Sequence, residues 1–537
     1  MGVDVAAIVR GRGGAPVLES ISVSPPRAGE VLVRVLASGV CHTDLVAIDG
    51  GIGYPFPAVF GHEGAGIVEA VGEGVTRVHP GDRVVLSFAS CGTCAACRSG
   101  HPAYCELFGS LNHSPETGAM AVEATGEALN AGFMRQSSWA TRVLAHESNT
   151  VPIPADVPAT VAAPLGCGVL TGAATVLNVL SPTAGDDLVV IGAGAVGLSA
   201  VMAARASGCR SIIVSDPLPA RRDLALDLGA TAAVGPDGLA EAIAAGGPVR
   251  HVIDTVGTQE TTDAALAALA PRGTVATVAL RPGSNRVSIA QGRLLWGRTI
   301  TGVIEGDAVV QRDIPRLVDL WRAGLLPVER IVTAYGLDEI ERAVDDTRAG
   351  RAVKAVLVTP EAASEATRRA ADTASAPVAD RPTDPGEPVG LLFTLRARTL
   401  DDAGLARLWR SLPPVEPAEL RGLWRGWAVT TGHRAERMLA RSGWYGKRFH
   451  SDSEVDPIVV RTGDGELVAD ETFSHGGASL WRIERDGVLT AAMVYDALPI
   501  VDSFTRITSD AVLGVMGGKH TADEGREFYF VLERDAD

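Results

Sequence analysis

The sequence predicts an α/β chain built on a doubly wound parallel sheet, followed by a separate, mainly β domain of small-barrel type. Three observations carry this reading. A glycine fingerprint, LVVIGAGAVG at 188–197, stands between an apolar strand-like run and the helix-like LSAVMAARASG. Strand-like and helix-like runs then alternate through SIIVSD, HVIDTVG, TTDAALAALA and GTVATVAL. Beyond residue 388 there is no cysteine, yet five of the chain's eight tryptophans lie there: Trp409, Trp424, Trp427, Trp444 and Trp481.

A chain of 537 residues is too long for one core and divides into domains of ~150 residues. A net charge of -16, with no cluster of Lys and Arg, argues against nucleic acid or an anionic membrane as partner. The N-terminal MGVDVAAIVRGRGG lacks the basic-then-apolar pattern of a signal peptide. The longest uncharged run, Leu188 to Ala204, is too short to cross a bilayer. The expectation is a cytoplasmic protein with reduced cysteines.

Spacing then matters more than parity. Cys91, Cys94, Cys97 and Cys105 form C-x2-C-x2-C-x7-C with small residues between them, a set that can wrap one tetrahedral ion and leave no open position. This fits a structural zinc. An iron–sulfur cluster is the rival, but the usual fourth cysteine and following proline are missing.

In the fingerprint, Gly192, Gly194 and Gly197 supply G-x-G-x-x-G, and the next strand-like run ends in Asp216. An acid there can bind both ribose hydroxyls and repels a 2'-phosphate, so NAD is expected over NADP. Arg221 and Arg222 are near enough in sequence to receive a phosphate if Asp216 turned away.

Further motifs are weak singly: VCHTD at 40–44, GHEG at 61–64 and LGCG at 165–168. With GHEGAGIVEAVGEGV, the four-cysteine lobe, PLGCGVLTGAATVLNVL, GAGAVG and GRAVKAVLV, they resemble the zinc-dependent medium-chain alcohol dehydrogenases over residues 1 to about 360. Within that family they look most like the aryl-alcohol enzymes. The resemblance implies a GroES-like zinc catalytic domain at 1–165, completed by 306–360, and a Rossmann NAD-binding domain at 166–305. It implies a catalytic zinc on Cys41, His62 and Cys167, the two-cysteine, one-histidine set known from alcohol dehydrogenases, and hence two Zn2+ per chain.

The same resemblance gives Thr43 the proton of the bound alcohol and puts Glu63 and Asp44 behind the ligands, with Asp44 accepting from the His62 ring. His42 stands where the horse-liver type has an arginine on the cofactor pyrophosphate, and Val46 where it has the relay histidine. Lys354 falls where the family often has a basic residue near the cofactor phosphates. Cys209 fits no ligand position and reads as a packed thiol. The implied reaction is oxidation of benzylic or allylic alcohols, aryl or terpenoid, in a dimer or tetramer, with Trp139 and Trp296 as candidates to line the pocket. Glutathione-dependent formaldehyde dehydrogenase-like activity is the alternative on the same scaffold.

Residues 361–388 are rich in Ala, Pro and Asp and read as a flexible linker. Within 389–537, Asp401 to Leu405 opens one helix by capping logic and His433 to Arg441 makes another. SLWRIER, an Asp486-Gly487 turn, VLTAAMVYD, FTRITSD, AVLGVMGGK and EFYFVLER read as antiparallel strands. ELRGLWRG at 419–426 resembles the G-x-W-x-G signature of a little-characterised bacterial domain, and the later segments its companion of unknown function. Two readings follow: a module that binds a hydrophobic ligand or product, or an isomerase for an unsaturated aldehyde. His433, Glu436, Lys447, Asp496 and Asp502 are the ionisable residues in apolar segments that proton transfer would use.

Overall fold

The computed structural model describes residues 3–360 except 184 and 282, together with 395 and 402–535 except 430, 432, 463–465, 471–474, 509, 520 and 524. The expected linker at 361–388 and Asp401 lie outside the described residues. The chain divides into two compact units, Met1–Pro382 and Thr383–Asp537.

In the first unit the apolar runs around the fingerprint form a parallel sheet in the order Ala232–Val234, Ser211–Ser215, Asp187–Ile191, Val249–Asp254, Leu269–Thr277, Thr299–Gly302. The order reverses at Asp187–Ile191, which opens a crevice at its carboxyl end. There the chain turns through Gly192 (φ +93°) into helix Ala195–Ala206. A Cβ on Gly197 would stand 1.8 Å from the Gly192 carbonyl, so only glycine lets helix and strand approach this closely.

The rest of the unit is mostly antiparallel, with Val332–Gly336 running parallel to Lys354–Val358 and Ala58–Val59 parallel to Ala128–Ala131. Five short strands close a small barrel, and the long strand Glu30–Gly39 pairs with Glu63–Val71, Arg142–His146 and the late strand Lys354–Val358. Residues near position 40 and near position 355 thus share one sheet. Among the described residues no single helix is long and apolar enough to cross a membrane. The bent pair Ala159–Gly166 and Gly168–Leu180 passes by composition, but most of its side chains are buried in this core.

The second unit is a sheet of nine strands in which Trp444–Phe449 at one end also pairs with Val455–Arg461, the eighth strand, so that the sheet closes into a barrel with Leu467–Ala469 outside it. The strands read from the sequence after residue 478 are all present, with Asp486 and Gly487 at φ +50° and +81° in the tight turn. The strands Gly422–Ala428, Trp444–Phe449 and Val455–Arg461 are additional to that reading.

The G-x-W-x-G residues are explained by packing. Trp424 is buried, donates its indole N–H to the Leu420 carbonyl at 2.9 Å and is covered by the Arg534 guanidinium 4.4 Å from its ring. A Cβ on Gly426 would meet the Trp444 ring at 2.4 Å. The motif is a packing site, in which Gly426 leaves room for the Trp444 ring from the neighbouring strand.

Candidate metal and cofactor sites

The four clustered cysteines come together as the spacing requires. Their sulfurs lie within 4.8 Å of one another. Main-chain N–H groups of Thr93 and Cys94 donate to Cys91 Sγ at 3.4 and 3.3 Å, and that of Cys97 to Cys94 Sγ at 3.5 Å. The hydrogen bonds from Thr93, followed by that from the Cys94 N–H, hold the Cys91 thiol down to about 6. Four converging sulfurs, some already favouring the thiolate, are the donor set of a closed zinc site.

The second cluster joins distant parts of the sequence. Cys41 follows strand Glu30–Gly39 by two residues and caps helix His42–Ile48; His62 precedes strand Glu63–Val71; Cys167 lies between a short turn and helix Gly168–Ala174. The ligand atoms of Cys41, His62, Glu63 and Cys167 all lie within 4.8 Å of one another. Asp44, fully buried, fixes the geometry: its carboxylate accepts from the Cys41 N–H at 2.9 Å, the Gly61 N–H at 3.1 Å and His62 Nδ1 at 2.8 Å. With Nδ1 donating, His62 Nε2 turns its lone pair inward, and it is buried with no partner among the described residues. Two sulfurs and a bare imidazole nitrogen in one buried place fit a zinc ion with a position left open.

The two sulfurs share one proton unevenly: a hydrogen bond from Cys167, helped by Lys354 and His62, holds Cys41 well below the usual thiol range, while that bond and burial push Cys167 well above it. Burial works against a proton on His62, but Asp44 and Cys41 outweigh it and make the ring more basic.

Lys354 corrects an expectation. Its Nζ is buried and donates to Glu63 Oε1 at 2.8 Å and to the Val40 carbonyl at 3.2 Å. Strand pairing of Lys354–Val358 with Glu30–Gly39 carries it behind the zinc ligands, where its charge answers Glu63 instead of standing free for a phosphate. Glu63 Oε1 also accepts from the Gly168 N–H at 3.0 Å, so one carboxylate ties together the strands of Lys354 and His62 and the helix after Cys167.

Trp139 is fully buried, donates to the Gly39 carbonyl at 3.3 Å and packs on Phe60. Trp296 is exposed, beside the edge strand Thr299–Gly302. Thr43 Oγ1 lies 3.8 Å from Cys41 Sγ, and His42 is exposed on the same turn. Val46 lies on that helix too, and Cys209 is a packed thiol whose burial pushes it up to about 12.

One buried acid was not anticipated. Glu305 Oε1 lies 3.7 Å from Cys167 Sγ and Oε2 3.3 Å from Thr171 Oγ1. Burial pushes its carboxyl up to about 7. It sits in a turn in which Glu305, Gly306 and Asp307 all have positive φ, +49°, +67° and +51°. A lone glutamate in irregular chain has no periodicity or ligand spacing to betray it.

At the fingerprint, Asp216 accepts from the Ala193 N–H and the Leu218 N–H, each at 2.8 Å, which fixes it against the glycine turn. Arg221 and Arg222 donate to main-chain carbonyls, Arg221 to Ala193, Gly350 and Ala352, Arg222 to Asp216 and Pro217. Asp216 thus stands at the carboxyl end of its strand beside the glycine turn, and Gly194 caps the helix Ala195–Ala206 that follows.

In the second unit the five candidates separate. His433 caps helix Arg434–Ser442, accepting from the Ala435 N–H at 3.1 Å and bonding the Thr521 carbonyl at 2.8 Å, while Glu436 accepts from the Thr431 and His433 N–H groups. Both are taken up by a capping box. Asp496 is exposed in a turn after a strand. His433 and Glu436 share a cause, since polar side chains at helix ends find main-chain partners, whereas Asp496 is set in solvent. Lys447 and Asp502 are different, buried and paired at 2.9 Å among apolar residues.

Comparison with known proteins agrees with this geometry. Residues 27–155 match the alcohol dehydrogenase GroES-like domain and 195–323 the zinc-binding dehydrogenase family, while 407–465 match the GXWXG protein family and 476–534 a domain of unknown function. A geraniol dehydrogenase of Castellaniella defragrans is 42% identical over 362 residues, 66% of this chain and 97% of that protein. Among solved structures, an alcohol dehydrogenase zinc-binding domain protein from Burkholderia ambifaria is 41% identical with a TM-score of 0.65, covering 67% of this chain and 99% of that one. Benzyl alcohol dehydrogenase from Acinetobacter calcoaceticus is 38% identical with a TM-score of 0.64, covering 67% and 100%. Identity of this order across whole relatives, on a fold that gathers Cys41, His62 and Cys167 beside an NAD crevice, places the chain among the medium-chain, zinc- and NAD-dependent alcohol dehydrogenases.

Proposed function

We propose that the first unit oxidises primary benzylic or allylic alcohols, aryl or terpenoid, by R-CH2OH + NAD+ to R-CHO + NADH + H+, reversibly. The observation that carries the substrate class is the likeness, over whole relatives, to both a geraniol dehydrogenase and a benzyl alcohol dehydrogenase. A zinc ion held by Cys41, His62 and Cys167 would lower the pKa of an adjacent alcohol hydroxyl, and NAD would accept the hydride.

The chain's own residues position and move the proton. Thr43, beside Cys41, accepts it at Oγ1 and passes it outward toward the cofactor ribose. Asp44 keeps the His62 ring in one tautomer. Glu63, held by Lys354, stays off the open position. His42 meets the pyrophosphate, while Gly192, Gly194, Gly197 and Asp216 hold the rest of the dinucleotide. The test is NADH formation with geraniol, benzyl alcohol and formaldehyde plus glutathione. Turnover of the first two supports the reading; turnover of the third alone overturns it.

The second unit is assigned to binding of a hydrophobic ligand or product, on the strength of its closed barrel and aromatic interior. The buried Lys447–Asp502 pair favours one further reading, isomerisation of an unsaturated aldehyde. Gas chromatography of geranial held with the intact chain and with Lys447→Met separates the two: only an isomerase changes the isomer ratio, and only in the unsubstituted chain. The enzyme is placed in the cytoplasm, as a dimer or tetramer. Leu295 and Trp296, 72% and 66% exposed beside the edge strand Thr299–Gly302, support an interface there.

A further inference from the structure

The interior of the second unit's barrel is apolar and aromatic, lined by Trp424, Phe449, Met493, Phe504, Phe528 and Phe530. Three polar side chains from three different strands meet inside it. Lys447 Nζ is 2.9 Å from Asp502 Oδ2, 3.0 Å from the Pro457 carbonyl and 3.3 Å from the Tyr495 hydroxyl, and that hydroxyl is 3.4 Å from the same Oδ2. The ammonium also lies 5.0 Å from the centre of the Phe530 ring. Lys447 and Asp502 side chains are each 3% exposed.

All this support goes to one oxygen of Asp502. The other, Oδ1, is buried without a hydrogen-bond partner among the described residues. A carboxylate oxygen bare in an apolar interior is costly, so the fold retains a polar atom whose natural partner is a donor. In strand register Asp502 faces Met493 on one side and Met516 on the other, both on the same barrel face, and Met516 is only partly buried. Methionine side chains are unbranched and repack around a guest.

The partner's chemistry follows from what is already satisfied. The three ammonium protons of Lys447 have three acceptors, so the site has no cationic donor left for an aldehyde or carboxylate oxygen. Such an oxygen would set lone pairs against Oδ1. A cationic amine could donate, but Lys447 already balances the charge of Asp502, and a second cation would be desolvated without a counterion. A neutral O–H donor on an apolar body meets both conditions.

We propose that this barrel is a binding site for a small neutral apolar alcohol, whose hydroxyl donates to Asp502 Oδ1 and whose unsaturated or aromatic body lies among Phe504, Phe530 and the two methionines. The proposal rests on the ligand-binding reading of the second unit and sharpens it, because it selects the substrate of the first unit over its product. The unit would hold alcohol for the dehydrogenase and release aldehyde.

The experiment is calorimetric titration of the full chain, zinc-loaded and free of NAD, with geraniol and separately with geranial. The comparison is the double variant Lys447→Met/Asp502→Leu, which replaces the ion pair by apolar groups and leaves no unpaired charge. Circular dichroism and cooperative thermal unfolding followed in peptides of the second unit show that the variant is folded. The expected result is a saturable site that takes geraniol at least about tenfold more tightly than geranial, since a site that bonds a hydroxyl rejects the analogue lacking it, and that the double variant loses. Equal or tighter binding of geranial by the same site overturns the donor argument while leaving the barrel a ligand site. Binding that the double variant retains in full, or no binding at all, overturns both.

Discussion

Replacing Lys354 by methionine tests whether one buried ion pair keeps the metal position open. Lys354 Nζ and Glu63 Oε1 are 2.8 Å apart, and the two side chains are 3% and 0% exposed. At an effective dielectric constant near 20, unit charges at that separation attract by about 6 kcal/mol, most of which offsets their desolvation. Removing the lysine leaves Glu63 with one partner, the Gly168 N–H, on one oxygen and none among the described residues on the other. The expected loss is about 3–5 kcal/mol. Glu63→Gln should cost less, because the ammonium keeps the Val40 carbonyl and the nearby Cys41 charge. The double variant Glu63→Gln/Lys354→Met should recover about 2 kcal/mol relative to the sum of the singles. Urea unfolding followed by hydrogen-exchange mass spectrometry on peptides of the first unit measures this separately from the barrel. A freed Glu63 is also within ligand range of the metal, so Lys354→Met should retain zinc and lose kcat. Additivity of the two substitutions within about 0.5 kcal/mol, with kcat unchanged, would refute the reasoning.

Asp44→Ala removes the group that sets the His62 tautomer and should weaken binding at the catalytic site about 10–100-fold, read as zinc released to a chromogenic chelator. Cys97→Ser should cost the structural ion and leave the loop around Cys91–Cys105 open to proteolysis, while metal analysis still finds the catalytic ion. Gly426→Ala drives a methyl group into the Trp444 ring and should destabilise the barrel by about 1–3 kcal/mol, measured by thermal unfolding followed in peptides of the second unit.

How much was legible depended on how locally each feature is encoded. The four-cysteine lobe and the glycine fingerprint lie in short runs, so spacing narrows their chemistry, and the motifs around them narrow it further. Cys41, His62 and Cys167 are far apart, and only their joint resemblance to a family tied them together before the sheet did so in space. Lys354 is expected beside the cofactor phosphates and stands instead against Glu63, because a sequence shows a basic residue and not the acid that strand pairing brings to it. In the barrel, strands with regular alternation after residue 478 were readable. Those between 422 and 461 were not, since glycines, tryptophans and arginines there serve cross-strand packing that has no period along the chain.

The lobe and the catalytic ligands are joined through the turn that carries Glu305. His101, within the cysteine lobe, bonds Asp307 at 2.8 Å, and Asn178 reaches the Asp307 carbonyl at 3.5 Å. Between these anchors the three-residue turn keeps positive φ throughout, a conformation that non-glycine residues adopt only when their surroundings impose it. A Cβ on Gly306 would meet Ala174 Cβ at 2.5 Å, so the turn is pressed onto the helix that begins just after Cys167. Glu305, at the other end of the turn, is thereby set against Cys167 Sγ and Thr171. The four-cysteine lobe and the Cys41–His62–Cys167 cluster are thus joined within the first unit by a run of contacts, from His101 through the turn at Glu305–Asp307 to Cys167.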